Sequence, residues 1–231
     1  MTDAHTAARR LARFGLLVAL ALVLSWLDRA IPVTWFLSGA IPGIKLGLAN
    51  TVLLYALYLM DGKSAFVLML AKVVLTGFMF GSVSAILYSL SGGILSLIVM
   101  LLVKRQPRLG ALVIAALAFL ADAWLLVTRP ARGQMLWCMI LIGLAGAAAL
   151  AAWILIRRYP SYEVLGVSLA GAVAHNVGQI LMAIAMLHTP QLLYTYLPVL
   201  VGMGAAVGCL TGVVARLVFR ALRAPGFYSQ G

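Results

Sequence analysis

An all-α bundle of membrane-spanning helices is the fold the sequence predicts, and three observations carry that prediction. The chain of 231 residues is 65% hydrophobic and only 10% charged, with a mean hydropathy of +1.11, more apolar than a water-soluble core of this size tolerates. Its apolar residues run in windows of about twenty, the length that crosses a hydrocarbon core about 30 Å thick. No stretch alternates as barrel strands would, and backbone groups in lipid need partners inside their own segment, so helices are what remains.

Taken in order, the windows fall at 12–27, 44–60, 64–80, 83–103, 109–127, 135–156, 163–187 and 193–219. The first follows "TAARRLARF", a basic start resembling a signal peptide, but no small-x-small cleavage site precedes Asp28 and Arg29, so an uncleaved first helix is expected. The 64–80 window is only just long enough to span. About eight transmembrane helices are therefore expected, in a single membrane domain without internal repeats, low-complexity linkers or room for a soluble domain.

A net charge of +12 would suggest nucleic acid in a soluble protein. Here the basic residues cluster between apolar runs, where they read as topology signals and lipid headgroup contacts, with no nucleic-acid partner. With the N-terminus inside, Arg9, Arg10, Arg13, Lys63, Lys104, Arg105, Arg108, Arg157, Arg158, Arg216, Arg220 and Arg223 lie on the cytoplasmic side. Arg29, Lys45, Arg129 and Arg132 lie outside, and Lys72 is within the membrane. Both termini are thus expected to be cytoplasmic, in a multi-pass protein of the inner membrane. Cys138 and Cys209 sit in apolar runs without metal-ligand spacing and read as small hydrophobes.

Lys45 follows Pro42-Gly43, a pair that turns the chain and leaves the next amides free at a helix start. Those amides, the helix dipole and an ammonium would form an anion site at the outer side, unless Lys45 merely snorkels to headgroups. Lys72, in "LMLAKVVLT", starts near the midplane, where an ionisable group is either functional or salt-bridged, with Asp28 and Asp122 the available acids. In "AGAVAHNVGQILMA", Ser168, His175 and Gln179 share one helical stripe with Asn176 at its edge. That face is either polar glue between helices or the lining of a ligand site. One histidine without a second ligand in reach is no metal site. Ser82, Ser89 and Ser96 with Ala85, Gly92 and Gly93, and later Gly204, Gly208 and Gly212, form small-residue stripes that predict close helix packing. Tyr194 and Tyr196 near Pro198 read as an outer aromatic belt.

The five acids are Asp3, Asp28, Asp61, Asp122 and Glu163, and no two are spaced to hold Mg²⁺ or to act as an acid–base pair. Nor is there a phosphate-binding loop or nucleophile elbow, so neither catalysis by this chain alone nor a resident cofactor or metal is expected.

The strings "IPGIKLGLANTVLLYALYL", "GSVSAILYSLSGGILSLIVMLLVK", "LGVSLAGAVAHNVGQILMA" and "YLPVLVGMGAAVGCLTG" resemble the Gx transporter family, also labelled heptaprenyl diphosphate synthase component I, over residues 14–106 and 160–218. Members resemble the six-helix S components of energy-coupling-factor transporters, so the resemblance implies a substrate-binding membrane carrier. By position, the family's recurring polar set falls on Lys45, Asn50, Tyr88, Ser89, His175, Asn176 and Gln179. Lys72 stands where the family commonly has arginine, keeping the charge without the bidentate fork. Residues 107–159 look like an inserted helix pair beside the surface where a coupling subunit would sit.

Two readings follow. One is a carrier for an anionic or polar cofactor-like substrate, bound by these residues and Lys72 and served by a coupling subunit. The other is a non-catalytic membrane subunit of prenyl diphosphate or quinone synthesis or of flavin-linked electron transfer, docked to a redox or prenyl-transfer partner; prenyl diphosphate synthases need aspartate-rich Mg²⁺ sites absent here. The topology can be checked directly. In a background lacking Cys138 and Cys209, a cysteine at Arg105 is expected to resist an impermeant thiol reagent in intact cells and one at Arg132 to react; the reverse pattern would overturn the charge argument.

Overall fold

The computed structural model describes residues 2–30, 47–80, 83–106, 132–159, 162–189 and 196–222, together with 108, 110–112, 114–116, 191 and 192. These form α1 (Thr2–Ala30), a 3₁₀ turn (Leu48–Asn50) running into α2 (Thr51–Leu59), α3 (Gly62–Phe80), α4 (Val83–Arg105), α5 (Arg132–Arg158), α6 (Glu163–Leu187) and α7 (Leu197–Leu222). Among the described residues there is no strand. The protein is a helical bundle, and α1, α3, α4, α6 and α7 are each long and apolar enough to cross a membrane. Their outer faces carry large exposed hydrophobics such as Leu16, Phe78 and Leu217, which suits a lipid solvent.

Window 44–60 behaves differently from a spanning helix. Its described helical part is Leu48–Leu59, about 18 Å long at 1.5 Å per residue and too short for the hydrocarbon core. It is also buried on every side from Thr51 to Leu57. A continuous apolar run cannot distinguish these cases, because a helix wrapped by protein is as apolar as one wrapped by lipid. The 109–127 window lies mostly outside the described residues; Ala111, Ile114 and Ala115 from its start are buried in the core.

The most extensive contacts in the bundle are α4 on α6 and α6 on α7, and both are glycine crossings. A Cβ on Gly178 would meet Gly92 Cα and Ser91 O at 2.8 Å, and one on Gly92 would meet His175 O at 2.7 Å. Along α7, Gly204, Gly208 and Gly212 press in turn on Ala172 and Asn176, on Leu169, and on Leu165 and Ser168. Lipid offers no hydrophobic drive between helices, so close backbone approach supplies dispersion and short polar bonds instead. Those bonds are present: Ser91 Oγ donates to Gly178 O (2.9 Å), Ser96 Oγ to Gly171 O (2.8 Å) and Ser168 Oγ to Gly208 O (2.8 Å). The small-residue stripes thus pack as expected, with Ser82 outside the described residues. Cys209 packs half-buried beside Leu169 and Ala205.

One end of the bundle holds Arg10, Lys104 and Arg216. Arg10 pairs with Asp61, and Asp61 Oδ1 accepts the Ser64 N–H at 2.6 Å, capping α3. Hydrogen bonds from Ser64, with Arg10 adding its charge, hold the Asp61 carboxyl below the usual carboxylate range. Lys104 Nζ donates to Leu57 O at 2.7 Å and sits 4.6 Å over the Tyr58 ring. Tyr58 stacks on Phe219, and Arg216 lies 3.5 Å over the Tyr162 ring. The N-terminus of α1, the α2–α3 connection, the C-termini of α4 and α7 and the start of α6 therefore share this end.

Glycine packing gives a paired expectation. Gly178→Ala should lower stability by roughly 1–3 kcal/mol through overpacking. Gly15→Ala, where nothing lies within 4 Å of the new Cβ, should be neutral or stabilise by up to about 1 kcal/mol. Thermal unfolding of both variants in one detergent checks this, and equal effects would contradict the crossing.

Candidate functional site

Where α2 begins, the chain does three things at once. Gly47 is left-handed (φ 86), a conformation that costs little only without a Cβ. A Cβ there would also meet His175 Cδ2 at 3.0 Å, so glycine is required by backbone and space alike. Immediately after it, the N–H groups of Leu48 and Ala49 donate to Asp28 Oδ1 and Oδ2 at 3.0 and 3.2 Å. Asp28 comes from the far end of α1 and is 3% exposed. Its carboxylate sits on the positive end of a helix and satisfies two of its orphan donors. Asn50 N–H closes the turn onto Gly47 O at 2.9 Å.

The next side chain, Asn50, reaches the α4–α6 crossing. Its Nδ2 donates to Ser96 Oγ and, at 3.4 Å, to Gly171 O. Asn50 Oδ1 has no hydrogen-bond partner among the described residues, though Asn50 is 2% exposed. On α6, Asn176 Nδ2 donates to Leu200 O at 2.6 Å, and its Oδ1 is likewise without a partner at 0% exposure. Ser25 Oγ, one turn before Asp28 on α1, is a third such atom. A buried polar atom left unmet costs about 1–3 kcal/mol, so each of these needs a reason.

His175 is wedged between Gly47 and Gly92, with Nδ1 2.8 Å from where a Gly92 Cβ would stand. Gln179 follows one turn later, 1% exposed. Lys72 is buried on α3, which packs on α1 and α4, and its carbonyl accepts from Thr76 Oγ1 at 2.7 Å. Ser96 lies about 12 Å and His175 about 20 Å from the basic end by helical rise. Both levels are well inside a core about 30 Å thick.

The expected polar set is therefore gathered only in part. Asn50 and His175 meet at the start of α2. The α6 stripe is split, since Ser168 and Asn176 bond to α7 whereas His175 faces Gly47 and α4; α6 is sandwiched between two helices and buries its whole circumference over much of its length. Ser168 is glue, held by Gly208 O and by Thr211 Oγ1 at 2.9 Å. Tyr88 packs in an apolar cluster with Ala183 and Leu192, joined by Tyr196. Ser89 is buried on α4, one turn from Gly92 and Gly93. Lys45, Pro42, Gly43, Asp122 and Tyr194 lie outside the described residues. Among the described residues no three of His, Cys, Asp and Glu gather as metal ligands.

Sequence reasoning placed Asp28 only as an acid in reach of Lys72 and passed over Gly47 and Ser91. The readable signal was Ser25 and Asp28 at i, i+3 just after the apolar run 14–24 of α1, two polar groups on one face that both need partners.

The family model for heptaprenyl diphosphate synthase component I matches residues 17–125 and 111–218, most of the chain, so the chain belongs to that family. No curated protein and no solved structure matches it.

If Asp28 holds the start of α2, Asp28→Ala should destabilise the protein by about 2 kcal/mol or more, leaving two buried amides without acceptors. Asp28→Asn, which keeps one acceptor oxygen, should lie between that variant and the parent. Denaturation midpoints in detergent decide it, and an Asp28→Ala variant as stable as the parent would contradict the capping role.

Proposed function

We propose that this family member is a membrane-embedded binding subunit that takes a small anionic or polar cofactor-like molecule into the centre around the start of α2. The observation that carries the reading is the set of buried acceptors without partners, Asn50 Oδ1 foremost, at a helix that starts inside the bundle. Broken helices that begin near the midplane are a recurring way to build membrane substrate sites. Lys45 lies two residues before Gly47 and would meet an anionic group on the outer side. Lys72, His175, Asn176 and Gln179 would orient the remainder, with Tyr88 and Ser89 bounding it on α4. The shared basic end supports a cytoplasmic location for both termini in the inner membrane. Residues 107–159 would be a helix pair added to a six-helix core.

The family's description favours a second reading, a non-catalytic membrane subunit that serves a prenyl-transfer or redox enzyme. Purification separates the two. In thermal-shift screening against vitamins, flavins and prenyl diphosphates, the binding subunit should gain stability from one class, by about 2.7 kcal/mol at a hundred times Kd. Lys45→Ala and His175→Leu should abolish the gain. No gain from any class, together with a stable complex with a prenyl-transfer or redox enzyme, would favour the second reading.

A further inference from the structure

The amide orientations at the centre are not interchangeable. Gly171 O, which already accepts from Ser96 Oγ, and Leu200 O are carbonyl oxygens and can only accept. Each therefore selects the nitrogen of its asparagine, Asn50 Nδ2 at 3.4 Å and Asn176 Nδ2 at 2.6 Å. Turning either amide over would set oxygen against oxygen, so the atoms left over are acceptors in both cases. The donors at the α2 start are meanwhile committed: Leu48 and Ala49 N–H to Asp28, Asn50 N–H to Gly47 O. The position at which a helix start would welcome a ligand anion already holds the protein's own carboxylate.

We infer that whatever part of the ligand reaches the start of α2 binds there as a hydrogen-bond donor, an amide, amidine, amine or hydroxyl group of a neutral or cationic moiety, received by Asn50 Oδ1. A carboxylate or phosphate is disfavoured at this subsite by Asp28, whose own carboxylate already takes the Leu48 and Ala49 N–H groups. The inference rests on the binding-subunit reading and assigns the polarity of its inner subsite, so a molecule with a donor-bearing head and an anionic or apolar remainder is the class that fits.

Matched probes test it on the full chain in lipid nanodiscs: nicotinamide against nicotinate, and benzamide and benzamidine against benzoate, at equal concentration. The amides or benzamidine should raise the unfolding midpoint by about 2 °C or more and the carboxylates should not. Asn50→Leu should erase the response; should that variant fail to fold, Asn50→Asp keeps acceptor oxygens and should favour benzamidine over benzamide more than the parent does. Carboxylates that stabilise as well as the amides would overturn the inference while leaving the binding-subunit reading standing. So would an amide response that survives Asn50→Leu, or an Asn50→Asp variant with unchanged preference. Silence towards every matched probe beside a gain in the vitamin, flavin and prenyl diphosphate screen also overturns the inference alone, whereas silence in both removes the reading with it.

Discussion

A carboxylate buried near the far end of α1 accepts the first two amides of a helix that begins inside the bundle, and the arrangement of the centre depends on that contact. Asp28 fixes Leu48 and Ala49, which fixes where Asn50 stands, which in turn brings α2 onto Ser96 of α4 and Gly171 of α6. A charge so deep in an apolar protein is costly unless hydrogen-bonded, and helix-start amides are among the few donors that compensate without adding another buried group. Gly47 makes the contact possible by adopting a left-handed turn beneath the His175 ring.

Around this point the bundle is closed by glycine. Gly92 and Gly178 bring α4 onto α6 at backbone distance, and Gly204, Gly208 and Gly212 do the same between α6 and α7. Tight crossings make the short serine-to-carbonyl bonds geometrically available. Among the atoms they leave over are acceptor oxygens on Asn50 and Asn176. Structural glue and a candidate ligand face thus coexist on the same residues, nitrogen serving one and oxygen available to the other.

Much of the fold was legible because membrane helices announce themselves by length and hydropathy. The 163–187 and 83–103 windows coincide almost residue for residue with α6 and α4, and the small-residue stripes pointed to the faces that meet. The start of α2 was not legible in the same way, since burial by protein and burial by lipid select the same apolar side chains. The helical wheel also grouped Ser168 with His175, and it cannot show that α6 lies between two partners that divide its polar residues. Asp28 was visible as an acid, but its donors are backbone amides set by the turn at Gly47, and backbone geometry leaves no side-chain pattern to read.

α2 begins inside the bundle, with its first amides sealed by a buried carboxylate. Hydrogen–deuterium exchange of the segment 47–59 in lipid nanodiscs measures this most directly, because exposed or snorkelling helix starts exchange quickly and sealed ones do not. The amides of Leu48, Ala49 and Asn50 should be protected as strongly as those of α6 around His175. Rapid exchange through the first turn of α2, with protection appearing only from the middle of the helix onward, would contradict it.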